Sequence, residues 1–257
     1  MVDSSTRQVF PHAEALCERC GYPIKGLSID ADCPECGYAV RESSPEKRTL
    51  DFESLWLTFK MQMRISHLFL LRPKQSFRLL NVSGDAQIHE QYLFKTSFLA
   101  GILFSAIVYV GSNYVISPRY HTIPLLSAMW LFVLGSIGSS VLTFIEMLGV
   151  TAFSRRRGWR VPFPLALRVC CLASVGWLPG AVIAGLGVWM IQAFAVGRPW
   201  FDHLFGLVRV GWLVYGGLFV FALLWFETLV WIGVRQVRFA NAWPGPALQP
   251  PSDAPEK

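Results

Sequence analysis

The sequence predicts an all-α polytopic membrane helix bundle of four crossings, preceded by a small metal-bound ribbon. Three observations predict it. Hydrophobic residues make up 53% of the 257-residue chain and charged residues 16%, against about 45–50% and about 25% in an average soluble domain. Four apolar runs each exceed the roughly 20 residues that cross the hydrocarbon layer of a bilayer. Four of the six cysteines fall in two C-x-x-C pairs near the N-terminus. This composition excludes intrinsic disorder for most of the chain and argues against an ordinary soluble enzyme.

The first unit spans residues 1–46, with its core at 17–37. There Cys17-Glu18-Arg19-Cys20-Gly21-Tyr22 is followed by Cys33-Pro34-Glu35-Cys36-Gly37. Each C-x-x-C forms a knuckle that aims two thiolates at one metal. The glycine after each second cysteine is free to take positive φ and turn backbone N–H groups toward the sulfurs. Four thiolates in a tetrahedron suit Zn²⁺ with a closed structural shell, so Cys17, Cys20, Cys33 and Cys36 are the expected ligands of a zinc ribbon. So short a segment buries no core of its own, and the metal must supply its folding energy. Residues 13–40 carry five acids and two bases. A surface of that sign repels phosphate, so the ribbon is expected to meet a protein partner and not nucleic acid.

Residues 47–92 read as a basic amphipathic segment. Phe52, Leu55, Trp56, Phe59 and Met63 share one helical face, with Lys60 and Arg64 elsewhere on it. Pro73 interrupts that helix, and Lys74, Phe77, Arg78 and Leu80 suggest a second short one. Trp56, Phe59, Lys60, Arg64, Arg72, Lys74 and Arg78 are the residues expected at a membrane interface, held by apolar burial and anionic lipid. The alternative is that the segment packs on the protein's own helices.

The membrane unit is expected over residues 93–239, with crossings at 93–116, 123–150, 165–196 and 204–234. The third run, 32 residues long, would reach about 48 Å as a helix. That is too short for two crossings with a turn, so one tilted helix kinked at Pro179 is predicted. Gly176, Gly180 and Ala184, and likewise Ala181 and Gly185, recur every four residues as expected of close helix contacts. The loop between crossings two and three carries Arg155, Arg156, Arg157 and Arg160, whereas the other two loops carry one arginine each. Positive-inside bias places that loop and both termini in the cytoplasm, as in a bacterial inner-membrane protein. It also accounts for much of the formal +6 charge. Residues 240–257, rich in Pro and Ala, read as a disordered tail.

Charges inside the crossings are functional candidates by default. Glu146, Arg168 and Glu227 are the three considered, and pairing of the acids with Arg168, Lys95 or the arginine loop is the expected arrangement. Cys170 and Cys171 lie in an apolar run without an accompanying base and read as packing residues. No H-E-x-x-H, G-x-S-x-G or P-loop pattern occurs, and no enzyme activity is expected.

Two resemblances bear on function. The cysteine segment is similar to the rubredoxin-like knuckle domain of rubrerythrins, which implies iron as the alternative metal and electron transfer as its use. The segment Arg72-Pro73-Lys74-x-x-Phe77-Arg78-x-Leu80, set before Gly-rich and aromatic-rich crossings, resembles the Yip family of polytopic membrane proteins. Cys20-Gly21-Tyr22 with Gly26-Leu27 fits the ribbon found on bacterial proteins of this kind. That resemblance implies a non-enzymatic role in membrane organisation or protein docking. The leading expectation is therefore a membrane scaffold or adaptor with a cytoplasmic zinc ribbon, contacting lipid and a cytoplasmic protein, with self-association as a further partner class. The alternatives are a small transporter or channel using Glu146 and Glu227, and a membrane redox protein with an iron site.

Overall fold

A computed structural model describes residues 15–50, 59–82, 87–110, 125–195 and 207–241. The ribbon leads through two short 3-10 turns, Val40–Ser43 and Pro45–Lys47, to α1 (Phe59–Leu71) and α2 (Pro73–Arg78). Five helices follow: α3 (Gln87–Val110), α4 (Leu125–Arg156), α5 (Phe163–Ala173), α6 (Trp177–Ala195) and α7 (Leu207–Val237). Among the described residues β-structure is limited to isolated bridges.

Among the described residues, four segments are long and apolar enough to cross a membrane: Glu90–Val110, Leu125–Arg156, Phe163–Met190 and Gly216–Val237. The four predicted crossings are thus present, although α3 starts before 93 and α4 runs past 150. The third is the central one. Leu165, Ala166, Val169 and the run from Cys170 to Ala173 are all buried, among α3, α4 and α7. The outer helices turn Phe94, Trp130, Ile137, Phe144 and Leu224 outward, as helices facing lipid must.

The third crossing breaks one turn earlier than predicted. A 3-10 turn, Ser174–Gly176, separates α5 from α6, and Pro179 lies within the first turn of α6. Proline lacks an N–H, and its ring clashes with the carbonyl four residues before it. The distortion therefore falls around Val175. The hydroxyl of Ser174, inside this turn, meets Thr96 Oγ1 of α3 at 2.6 Å, and Trp177 Nε1 donates to Thr143 Oγ1 of α4 at 3.0 Å. Helices in lipid gain no hydrophobic drive to associate, so such bonds and close packing hold them together. Gly180 supplies close packing between α6 and α7, because a Cβ there would lie 2.7 Å from Ala222 Cβ on α7. The predicted small-residue stripe serves two partners: Gly176 and Gly180 face α7, whereas Gly185 faces Ile107 of α3.

At one end of the bundle α4 stops at a Schellman motif. Gly158 takes φ +68°, Gly158 N donates to Arg155 O, and Trp159 N donates to Ser154 O at 2.9 Å. The chain then crosses to α7, where Arg160 N donates to Arg238 O at 2.8 Å. The predicted topology residues Arg155, Arg156 and Arg157 are exposed at this end.

The segment 59–82 packs on the protein. Ile65 and Phe69 of α1, Phe77 of α2 and Leu80 just after it are buried in the same core as residues of α5 and α7. Phe69 and Phe77 meet edge to face at 4.8 Å. The buried face of α1 is carried by Ile65, Ser66 and Phe69, while Met63 is half-buried. Arg64, Arg72, Lys74 and Arg78 remain exposed. Trp56 and the side chains of Phe59 and Lys60 lie outside the described residues.

A candidate metal centre docked on the end of the bundle

The two knuckles fold alike because their sequences are alike. Ala15-x-Cys17-x-x-Cys20-Gly21-Tyr22-x-Ile24 recurs sixteen residues later as Ala31-x-Cys33-x-x-Cys36-Gly37-Tyr38-x-Val40. The backbone bonds recur with the same offset. Cys17 N donates to Tyr22 O and Gly21 N to Cys17 O, both at 2.8 Å; Cys33 N donates to Tyr38 O and Gly37 N to Cys33 O, also at 2.8 Å. Gly21 at φ +82° and Gly37 at φ +65° close the two turns in a region that side-chain-bearing residues rarely occupy. Ile24 and Val40, at matching positions, form the small ribbon core with Ala15, Cys17 and Cys33. This internal repeat is visible in the sequence once the two C-x-x-C-G-Y segments are aligned.

The repeat brings the sulfurs together crosswise. Cys17 Sγ lies 3.6 Å from Cys36 Sγ, and Cys20 Sγ lies 3.6 Å from Cys33 Sγ. All four lie within 4.8 Å of one another. Sulfurs about 2.3 Å from a tetrahedral zinc ion would be about 3.8 Å apart, so the donor set fits such an ion. All four cysteines are free thiols. Burial works to raise the Cys33 thiol, but N–H groups of Cys36 and Glu35 and bonds from the Cys20 and Cys17 sulfurs outweigh it and bring it down to about 7. Burial pushes the Cys20 thiol up to about 12, aided by its sulfur neighbours and opposed by the Tyr22 backbone. The expected ligands are thus together in one site with the chemistry of a closed thiolate shell. A tetrahedral ion held by all four cysteines would have no open coordination position.

The ribbon is bolted to the bundle by residues that carry no motif. Arg48, 5% exposed, donates from Nε to Glu18 Oε1 at 2.9 Å. Its other nitrogens donate to Leu80 O after α2 and Gln236 O of α7, at 3.2 and 3.1 Å. One guanidinium therefore joins the first knuckle to both helices. Asn241 acts as a backbone mimic. Its Nδ2 donates to Leu16 O at 2.8 Å and Ser43 O at 2.7 Å, and its Oδ1 accepts from Leu16 N at 3.0 Å. Placed by sequence in the tail, Asn241 is instead buried; residues 242–257 lie outside the described residues. Arg78, expected at a lipid interface, binds the second knuckle's Tyr38 hydroxyl and Glu42 Oε2.

The intramembrane charges are arranged differently from expectation. Glu146 of α4 has the carboxyl of Glu227 on α7 as its charged neighbour, in place of the predicted pairing with a base. The rotation of each helix decides which residues face, and here it turns the two acids toward each other. Arg168, 4% exposed, donates to Asn81 O at 3.4 Å. Cys170 and Cys171 are fully buried in α5, in keeping with a packing role.

No family model, no curated protein and no solved structure matches this chain. What is established is a polytopic membrane helix bundle carrying a four-cysteine cluster able to bind a metal.

Proposed function

We propose that this chain is a non-enzymatic membrane scaffold whose zinc ribbon, on the cytoplasmic side, presents a docking surface to a protein partner. The observation that carries this reading is the rigid attachment of the ribbon through Arg48 and Asn241. A ribbon tied at several points to the helix ends has a fixed direction, which a scaffold needs and a flexibly tethered reader does not. The exposed acidic residues Asp30 and Glu35 would give the outer face its charge. The likeness of the 72–80 segment to the Yip family supports membrane organisation as the setting. Zinc is preferred over iron because a closed four-thiolate shell supplies the folding energy that so short a segment cannot draw from a core of its own.

The test uses the full-length protein purified in detergent. One equivalent of colourless zinc, and partner cross-links that disappear on chelation and return with added Zn²⁺, are the expected results. One equivalent of iron with visible thiolate-to-iron absorption would overturn the zinc reading. Cross-links indifferent to chelation would overturn ribbon-mediated docking.

One observation favours a second reading. Two carboxyl groups facing each other inside a helix bundle are the kind of element through which a proton is carried. Proton flux in liposomes that is abolished by both Glu146→Gln and Glu227→Gln would replace the scaffold with a transporter.

A further inference from the structure

Docking of the ribbon leaves a cavity of about 520 Å³ between the knuckles, α2 and the end of α7. Its walls carry five cationic side chains from three different elements: Arg19 of the ribbon, Lys74 and Arg78 of α2, Arg235 of α7 and Arg238 just beyond it. The single carboxylate in the wall, Glu18, is already engaged by Arg48 at 2.9 Å. Arg78 is matched by Glu42. Among the described residues no carboxylate forms an ion pair with Arg19, Lys74, Arg235 or Arg238. Arg238 is held by stacking and by a backbone carbonyl. Its guanidinium lies 5.7 Å from the Trp159 ring and 5.0 Å from the Phe239 ring, and one terminal nitrogen donates to Arg19 O at 2.9 Å. Its Nε is buried and lacks a hydrogen-bond partner. A buried donor left unsatisfied is costly, and like charges gathered in one cavity repel one another.

We infer that this cavity is a binding site for a phosphate-bearing anion. Guanidinium groups from separate elements converge with planar donors suited to phosphate oxygens, and Lys74 adds a point charge. The site sits where the membrane-length helix Gly216–Val237 ends, with Trp231 in its wall. A tryptophan at that level belongs to the lipid headgroup region, so a phospholipid headgroup and a soluble phosphate compound are the two sources of this chemistry. Because Arg19 comes from the ribbon and Lys74 and Arg235 from the helices, the anion would clamp the two units together.

The experiment uses full-length zinc-loaded protein. In one arm, native mass spectrometry from mixed nanodiscs measures retention of phosphatidylglycerol against phosphatidylcholine. In the other, inorganic pyrophosphate is titrated into protein held in phosphatidylcholine alone. Lys74→Gln combined with Arg235→Gln removes two cavity charges that hold no hydrogen bond of the ribbon. That double variant is expected to lose about 25-fold in binding, roughly fivefold for each basic side chain. Lys74→Arg with Arg235→Lys should retain it. The control is Arg155→Gln with Arg156→Gln, which removes equal charge at the same end of the bundle but outside the cavity, and it should bind as wild type. Loss in the lipid arm assigns the site to a headgroup; loss in the pyrophosphate arm alone assigns it to a soluble phosphate. Equal losses in the cavity and control variants, or no loss in either arm, would overturn the site. A second measurement needs no variant: a photoreactive phosphatidylglycerol headgroup should label wild-type peptides containing Lys74 or Trp231–Arg238 if the source is a lipid, and labelling elsewhere only, together with no pyrophosphate binding, would equally overturn the site.

Discussion

Arg48 Nε and Glu18 Oε1, 2.9 Å apart, form an ion pair whose side chains are 2% and 10% exposed. Because the same guanidinium also holds Leu80 O and Gln236 O, the pair is a joint between the metal module and the membrane module. Removing one partner of a buried pair strands the other charge, at about 3–5 kcal/mol. Arg48→Ala should therefore release the ribbon from the bundle. The expected outcome is new protease cleavage around residues 41–50, with zinc still bound and the helices intact. Glu18→Gln keeps a hydrogen-bond acceptor and should cost less than half as much in the same assay. The more exposed Arg78–Glu42 pair should contribute no more than about 1 kcal/mol when broken.

Metal affinity should depend on pH with a definite sign. Cys33, lowered from an ordinary 9.0 to about 7, favours its thiolate in the fold. Its contribution to stability is in place above pH 9 and is lost as pH falls through 7. Cys20, raised to about 12, has the opposite sign in the metal-free fold: its contribution is present below pH 9 and lost as pH rises toward 12. A metal reverses this second effect by taking the thiolate and expelling the proton. Zinc binding should accordingly release protons at pH 7.5 and weaken steeply below pH 7, as followed by competition with a chromophoric chelator. Cys33→Ser should abolish tight binding and unfold the ribbon. A zinc affinity independent of pH between 6 and 8 would contradict this account.

The metal ligands are legible in the sequence because the information is local. Two C-x-x-C-G-Y segments fix their own turns, and four sulfurs follow from two turns. The four crossings are legible because apolar length alone decides them. What escapes is set by tertiary geometry. Arg48 is one of seven bases between residues 47 and 78, and nothing in its neighbours marks it as the buried one. Asn241 sits at the edge of a Pro- and Ala-rich tail, and only the approach of Leu16 and Ser43 gives its amide a purpose. Glu146 has a base available on paper in Arg168, yet its side chain is turned toward Glu227 by the way α4 and α7 meet α5.

Close packing at Gly180 makes a second kind of prediction. A Cβ added there would stand 2.7 Å from Ala222 Cβ and 3.3 Å from Ala222 Cα, and backbone atoms cannot yield as a flexible side chain does. Gly180→Ala should push α6 from α7 and destabilise the bundle by about 1–3 kcal/mol. Ala222→Gly removes the clashing methyl. Combined with Gly180→Ala it should recover most of the loss in a denaturant titration in detergent. Losses that simply add would show that the two helices do not meet at this point.

The facing carboxyls of Glu146 and Glu227 give the last prediction, which separates a structural bond from mere proximity. Gln in place of Glu146 retains both a donor and an acceptor, so Glu146→Gln should unfold within about 0.5 kcal/mol of wild type. Glu146→Ala leaves the Glu227 carboxyl without its partner in a partly buried setting, and should cost about 1–3 kcal/mol. Glu227→Ala should cost a similar amount. The double alanine variant should then lose less than the sum of the two, because the second substitution removes a group whose partner is already gone. A coupling of about 0.5–3 kcal/mol in that cycle is the expected result. A coupling near zero would mean that the two side chains act independently, and the second functional reading would lose the observation on which it stands.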